Sequence, residues 1–389
     1  MRVKLGDIAT LITKGTTPTT LGYNFVDEGI NFVKIESITE NGEFLVEKFA
    51  HITHECNENL SRSQLKKNDL LFSIAGAIGR TAIVTDEILP ANTNQALAII
   101  RVPEGIINYQ YLNYLMQSPV ITEQLEKRKQ GVAQLNLSLK DISEFEITMY
   151  DDEKQNEIVA CMNKVIDLIS LRKQQLFILD ELVKARFVEL FGACDTYELL
   201  QDSNIYISDG NYSSKYPTAD EFVEEGVPFI RASNMEMNTI VDNNMYFITK
   251  EKHAILLKGH VKAGDVLITT RGATIGKIAC VPPRHEDSNI NAQIVLLRCP
   301  KKEYNPLFLS WYLKLDNTQA EIQKLISGSA QPQLPIKRLV QLNLLKPDIN
   351  LQNQFAVFVE QTDKSKLAVQ KSLEQLETLK KALMQQYFG

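Results

Sequence analysis

From Glu153 to Phe191 the chain carries neither proline nor glycine, and its apolar residues return at steps of four and three: Ile158, Met162, Val165, Ile169, Leu176, Leu179, Val183 and Leu190. Arg172 and Arg186 fill the places where the pattern asks for another apolar residue. This is the spacing of a heptad seam, and it predicts one long helix of about five heptads. The pattern returns in Phe355, Val359, Val369, Leu373, Leu376, Leu383 and Tyr387, with Thr362, Lys366 and Lys380 as polar exceptions. Both stretches close on Phe-Gly, at Phe191-Gly192 and Phe388-Gly389, and glycine is the preferred residue just past a helix end. At 1.5 Å per residue each helix spans roughly 60 Å. A seam of that length needs a partner, and the simplest one is the other helix. One helix leads out of a first globular stretch and the other returns from a second, so the pair is expected to be antiparallel. The alternative is that each helix packs on its own globule or pairs between chains.

The remainder of the chain is written twice as well. Shifted by 197 residues, Gly29-Ile30-Asn31-Phe32-Val33-Lys34 meets Gly226-Val227-Pro228-Phe229-Ile230-Arg231. In the same register Ile78-Gly79-Arg80 meets Ile275-Gly276-Lys277, and Asn94 meets Asn291. Gly131-Val132-Ala133-Gln134 meets Gly328-Ser329-Ala330-Gln331, and Lys140 meets Lys337. Gly76 and Gly272 are one residue closer than this register, which places a one-residue insertion in the turn after Gly272. Within each copy, the runs 70–75 and 266–270 read as short buried strands ending at a glycine turn, and 96–100 and 293–297 as further strands. Residues 109–128 and 306–326 have helical spacing. The expected fold class is α+β: two similar globular domains, 1–150 and 193–347, joined by long spacer helices at 151–192 and 348–389, with an internal pseudo-twofold repeat.

Composition narrows the function. Of 389 residues, 44% are hydrophobic and 23% charged, as in ordinary globular proteins. No apolar run reaches the ~18 residues of a membrane helix, and the charged start Met1-Arg2-Val3-Lys4 has no secretory h-region. Cys56, Cys161, Cys194, Cys280 and Cys299 form no C-x-x-C pair, so a disulfide scaffold and a zinc ribbon are disfavoured and a cytoplasmic location is expected. The net charge of −6 argues against non-specific coating of nucleic acid while leaving room for local basic surfaces.

Candidate enzyme motifs fail in turn. Gly272-Ala273-Thr274-Ile275-Gly276-Lys277-Ile278 has three residues between its glycines where a phosphate loop has four, and Ile where it has Ser or Thr. It reads as a tight turn between strands. No G-x-G-x-x-G is present. Of the five histidines only His51 and His54 lie close in sequence, and nothing nearby completes a metal site or a triad. The histidines are read as surface or structural, with no metal and no catalytic residue assigned. A duplicated chain without a catalytic constellation is a recognition device, and the alternative of the same broad kind is a coiled-coil scaffold that binds protein alone.

The order of these features resembles the specificity subunit of type I restriction–modification systems. The resemblance rests on Gly264 to Lys277 with the shorter Asp69 to Arg80, on Asn94-Gln95, on the segments Gly131 to Lys140 and Gly328 to Lys337, and on the helices ending in Phe-Gly. It implies a non-catalytic subunit with two target-recognition domains, each reading half of a bipartite double-stranded DNA site. It also implies helices that set the half-site spacing and dock two modification subunits, which bind S-adenosylmethionine and methylate adenine, and to which restriction subunits can add. No cofactor is expected in this chain and no membrane contact. Base reading needs short, well-aimed polar groups at strand ends. The candidates are Thr16, Thr17, Lys34, Glu36, Ser37, Ser73, Arg80 and Gln134 in the first copy. In the second they are Asn211, Tyr212, Ser213, Lys215, Arg231, Ser233, Asn234, Arg271, Lys277 and Gln331. Arg231 and Arg271 are the sharpest, because a guanidinium can bind guanine bidentately; shared residues such as Lys277 and Gln331 could instead hold the fold.

Overall fold

A computed structural model describes residues 1–129, 137–212, 215–300, 302–328 and 331–389. The chain forms two compact units, one made of Met1–Lys173 with Lys371–Gly389, the other of Gln174–Gln370. The two long helices, Asp152–Phe191 and Ile349–Phe388, contribute to both.

In the first unit an antiparallel four-stranded sheet runs in the order Leu11–Lys14, Leu97–Arg101, Leu70–Ser73, Thr81–Ile83. Alternate residues of its central strands point to opposite sides, as the two-residue period requires. Leu70, Phe72, Ala98 and Ile100 pack with the helices Tyr109–Met116 and Leu139–Ser143. Leu71, Leu97 and Ile99 pack with Val33, Ile38 and Val84 in a second core. A sheet covered on both faces explains why these strands read as unbroken apolar runs rather than alternating ones. The three-stranded sheet beside it pairs Ile30–Val33 antiparallel with Ala50–Ile52 and parallel with Ala91–Thr93.

The second unit repeats this framework: Tyr206–Asp209, Ile294–Arg298, Val266–Thr269 and Ile278–Cys280 form its four-stranded sheet. Val266, Ile268, Val295 and Leu297 face the helical side, while Leu267, Ile294 and Leu296 face the other. The companion sheet again has one parallel pair, Val227–Ile230 with Asn289–Ile290.

Equivalent side chains hold equivalent joints in the two units. Gln155 accepts from Asn108 N at 2.8 Å and donates to Tyr150 O at 2.8 Å. Gln352 accepts from Asn305 N at 2.9 Å and donates to Pro347 O at 2.9 Å. Each glutamine is fully buried and fixes the start of a long helix to its globular part. Asn68 stands where the second copy has Gly264, and both adopt a left-handed backbone, φ 68° and 86°. Asparagine is among the few side chains that tolerate this, so the turn survives the substitution.

Within each unit the long helices pair antiparallel. In the first, Ile158 and Met162 share a core with Phe388 and Met384, and Arg172 Nε donates to Ser372 Oγ at 3.2 Å. In the second, Phe355 lies edge-on to Phe187 and Phe191 at 5.3 and 5.7 Å, while Lys366 Nζ meets Asp180 at 2.6 Å. Position along one helix rises as it falls along the other. Lys366, a polar exception in the seam, is 6% exposed, with its ammonium also 5.1 Å from the Trp311 ring. An ion pair and an aromatic face replace the apolar contact.

Three local features differ from the sequence reading. The helical stretch 109–128 is two helices, Tyr109–Met116 and Pro119–Lys129; Pro119 has no N–H to continue the first and starts the second instead. The stretch 306–326 likewise divides at Leu315, which is extended, into Pro306–Lys314 and Asp316–Leu325. Gly192 ends its helix without left-handed φ. It is needed for space, since a Cβ there would meet Val188 O at 2.6 Å.

Candidate nucleic-acid interface

The glycine turns that imitate a phosphate loop are hairpin connections. Gly76 and Gly79 in one unit, Gly272 and Gly276 in the other, all have φ between 72° and 91°. Inside each turn a hydroxyl closes the loop. Ser73 Oγ donates to Ala77 O at 2.6 Å and accepts from Arg80 N at 2.8 Å. Thr269 Oγ1 donates to Thr274 O and accepts from Lys277 N at 3.0 Å. The basic residue after each turn reaches across to a neighbouring carbonyl. Arg80 Nη1 donates to Ile38 O at 3.1 Å, and Lys277 Nζ to Ala232 O at 3.3 Å. The side chains thus tie the two turns to the short helical turns Ile35–Ser37 and Ala232–Asn234, respectively.

Three candidates, Ser73 among them, are buried and bonded to the backbone. Ser37 is fully buried; its hydroxyl donates to Lys48 O at 3.1 Å. Ser73 is spent on the turn just described. Asn234 is fully buried, accepting from Arg231 N at 3.1 Å and donating to Asn243 O at 3.0 Å. These groups shape the loops from within. Gln134 and Ser213 lie outside the described residues.

The accessible candidates fall into small groups. In the first unit Lys34 sits over the Phe25 ring at 4.3 Å beside exposed Glu36. Thr16 and Thr17 are half-buried in the turn after Leu11–Lys14, and the Thr17 hydroxyl donates to Gln95 Oε1. In the second unit Arg271 is exposed and lies 4.8 Å from the Tyr212 ring, next to Asn211. Arg231 lies 3.4 Å from the Tyr246 ring and donates to Asn244 O at 2.7 Å. Ser233, Lys215 and Gln331 are exposed. Burial raises the Tyr212 phenol above its usual range, with Arg271 opposing, and a neutral aromatic face attracts a cation. A guanidinium placed over a ring is positioned at low entropic cost. Tyr246, Asn244 and Phe25 were absent from the sequence reading. Tyr246 lies fifteen residues from Arg231, and no spacing rule links a strand residue to a cation just past the end of another strand.

Comparison with known proteins bears on the family and the fold. The family model for the type I restriction modification DNA specificity domain matches twice, over residues 1–178 and 210–378. The Escherichia coli protein "Type I restriction enzyme EcoBI specificity subunit" is 35% identical over 136 residues, 34% of this chain and 28% of that protein. The chain therefore aligns to little more than a quarter of that relative. The "Type I restriction enzyme MjaVIII specificity subunit" of Methanocaldococcus jannaschii is 22% identical over 292 residues, 70% of this chain and 68% of that protein. Among solved structures, a chain from work on complex assembly and conformational transition of the type I R-M system matches with a TM-score of 0.59 at 18% identity, covering 100% of this chain and 97% of that one. The type I restriction-modification system S subunit from M. genitalium matches with a TM-score of 0.55 at 14% identity, covering 99% and 94%. At these identities the structures speak for the fold, and the twofold family match speaks for the lineage: the chain belongs to the type I restriction modification DNA specificity domain family, whose domain it carries in two copies.

Proposed function

We propose that this chain is the DNA-specificity subunit of a type I restriction–modification complex. Residues 1–150 and 193–347 are its target-recognition domains, each reading one half of a bipartite double-stranded site. The spacer helices, 151–192 and 348–389, set the separation of the half-sites and hold two modification subunits, to which restriction subunits can add. The chain itself performs no catalysis: S-adenosylmethionine and adenine methylation belong to the modification subunits, and the assembly works in the cytoplasm.

The observation that carries this reading is a framework built twice with different exposed groups. The buried glutamines, the turns and the sheet orders repeat, whereas the accessible groups differ: the equivalent cations Lys34 and Arg231 lie over different rings, Phe25 and Tyr246, and Arg271 with Tyr212 is found in the second unit alone among the described pairs. Two readers of one design with different surfaces suit a split site with two different halves. Charge adds a constraint. Residues 1–150 hold 14 basic and 18 acidic side chains, and residues 193–347 hold 17 of each. Neutralisation of phosphates must then come from clustered Lys and Arg or from partner subunits, and weak DNA binding by the isolated chain is expected.

Mapping methylated adenines in DNA from cells that carry this chain with its modification partner tests the reading. Methylation confined to a two-part sequence with a fixed gap is expected. Methylation without sequence dependence, or at one uninterrupted motif, overturns it.

A further inference from the structure

In the second unit, His253, His260 and Asp287 converge: one ring nitrogen from each histidine and one carboxylate oxygen lie within 4.8 Å of one another. His253 and His260 are half-buried, with ring centroids 4.3 Å apart. Asp287 approaches from the loop before Asn289–Ile290, its Oδ1 3.5 Å from His253 Nε2. The tautomers are set from outside the cluster. His253 Nδ1 donates to Asn289 Oδ1, because that amide's nitrogen is turned towards Lys258 O. His260 Nε2 donates to Leu256 O at 2.5 Å. Each imidazole therefore spends its N–H on a protein oxygen, which leaves the opposite nitrogen as a lone pair. This is the outer-shell arrangement that orients histidine ligands around a metal ion.

The repeat supplies an internal control. Thr53 and Thr249 cap equivalent helices, and the carbonyls of Gln64 and His260 both accept from the arginine of the same buried ion pair, Arg101 and Arg298. In that register Asn57 stands for His253, Gln64 for His260 and, beside the shared Asn92 and Asn289, Pro90 for Asp287. The first unit joins its amides to one another: Asn92 Nδ2 donates to Asn57 Oδ1 at 2.9 Å, and Gln64 Nε2 to Asn57 O at 2.9 Å. The framework thus does not need ionisable groups here. All three positions carry a metal-ligating side chain in one copy and none in the other.

We propose that His253, His260 and Asp287 bind a divalent transition-metal ion such as Zn²⁺. Two imidazoles and one carboxylate suit zinc and its neighbours rather than Mg²⁺ or Ca²⁺. Tetrahedral ligands at about 2.0–2.1 Å from zinc stand about 3.3 Å apart, so binding draws the three groups slightly together and leaves a fourth position for water. The ion would brace residues 256–260 against Asn289. That segment touches the candidate surface: Lys258 Nζ pairs with Asp209 at 3.1 Å, two residues before Asn211, and a Cβ on Gly259 would lie 3.2 Å from Gly210 Cα.

The test uses the full chain and Zn²⁺ alone, by titration calorimetry, with Co²⁺ as a spectroscopic stand-in. The control variant is H253N/H260Q, which installs the amides the first unit already uses and so preserves the fold. The full chain is expected to take up one Zn²⁺ that the variant does not, and its Co²⁺ complex is expected to lack a sulfur-to-cobalt charge-transfer band. Asn289→Ala should weaken the ion by about 10- to 100-fold through loss of the orienting acceptor. The proposal is overturned if the full chain binds no Zn²⁺, if the variant binds it equally well, or if the cobalt spectrum shows thiolate ligation.

Discussion

The Arg298 guanidinium grips the Asp265 carboxylate in a two-pronged pair, Nε to Oδ1 at 2.8 Å and Nη2 to Oδ2 at 2.7 Å. Asp265 is 1% exposed, and Arg101 holds fully buried Asp69 the same way in the first unit, at 2.6 and 2.7 Å. The hydrogen bonds to Asp265 are the main reason the Arg298 pKa is raised. The carboxylate also accepts from Lys262 N at 2.8 Å. Asp265→Ala leaves a partly buried cation and a turn amide without their acceptor. Removing one partner of a buried pair costs about 3–5 kcal/mol; because Arg298 can still reach water, a loss of about 2–3 kcal/mol is expected, read from the denaturant midpoint. A loss below about 0.5 kcal/mol would show that the pair adds nothing to the fold.

Arg271 should act on one half-site only. Its guanidinium is exposed and its backbone stays intact in Arg271→Ala, so the loss is confined to recognition. One bidentate base contact is worth about 1–3 kcal/mol. The expected result is relaxed or weakened reading of one half of the methylated sequence with the other half unchanged. Equal weakening on every sequence would instead make Arg271 a phosphate contact.

Arg231 and Tyr246 should behave as a coupled pair. Each single substitution, Arg231→Ala or Tyr246→Ala, breaks the same cation–ring contact. A double-mutant cycle on half-site binding by the assembled complex is expected to give a coupling of about 0.5–2 kcal/mol. Additive effects would mean that the ring does not position the cation.

Acid should weaken the second unit through His285. This ring is 3% exposed, and burial lowers its pKa, although Asp242 at 2.9 Å opposes the shift. The unfolded chain then takes up a proton more readily than the folded one. Stability from this group is in full force above the unfolded value of about 6.5 and declines as pH falls below it. Denaturation midpoints of the full chain between pH 8 and pH 5.5 should fall more steeply than those of His285→Gln. Parallel slopes would remove His285 from the account.

The seam of the long helices was legible because heptad spacing is local: Ile158, Met162, Val165 and Val183 are buried as the period requires. Phe187 and Phe191 fall outside that period yet are 4% and 2% exposed. Their partners, Phe308 and Phe355, lie more than a hundred residues away, and no periodicity reports on them. The candidate surface was legible in part for a related reason. Polarity marked Ser37, Ser73 and Asn234 as well as Arg271, but a short polar side chain can turn inward and bond its own loop, and sequence does not say which will. The histidine cluster escaped because His253 and Asp287 meet only when a helix and a distant loop are folded against one strand, while His51 and His54 were merely close in sequence.

The division of the chain has a consequence for synthesis on the ribosome. The second unit is one continuous stretch, Gln174–Gln370, whereas the first draws on Lys371–Gly389 for Met384 and Phe388 of its core. During vectorial translation the half that emerges first is therefore completed last. Until Lys371–Gly389 leave the exit tunnel, Ile158, Met162 and Tyr111 wait with an uncovered apolar face, the kind of surface chaperones and proteases recognise.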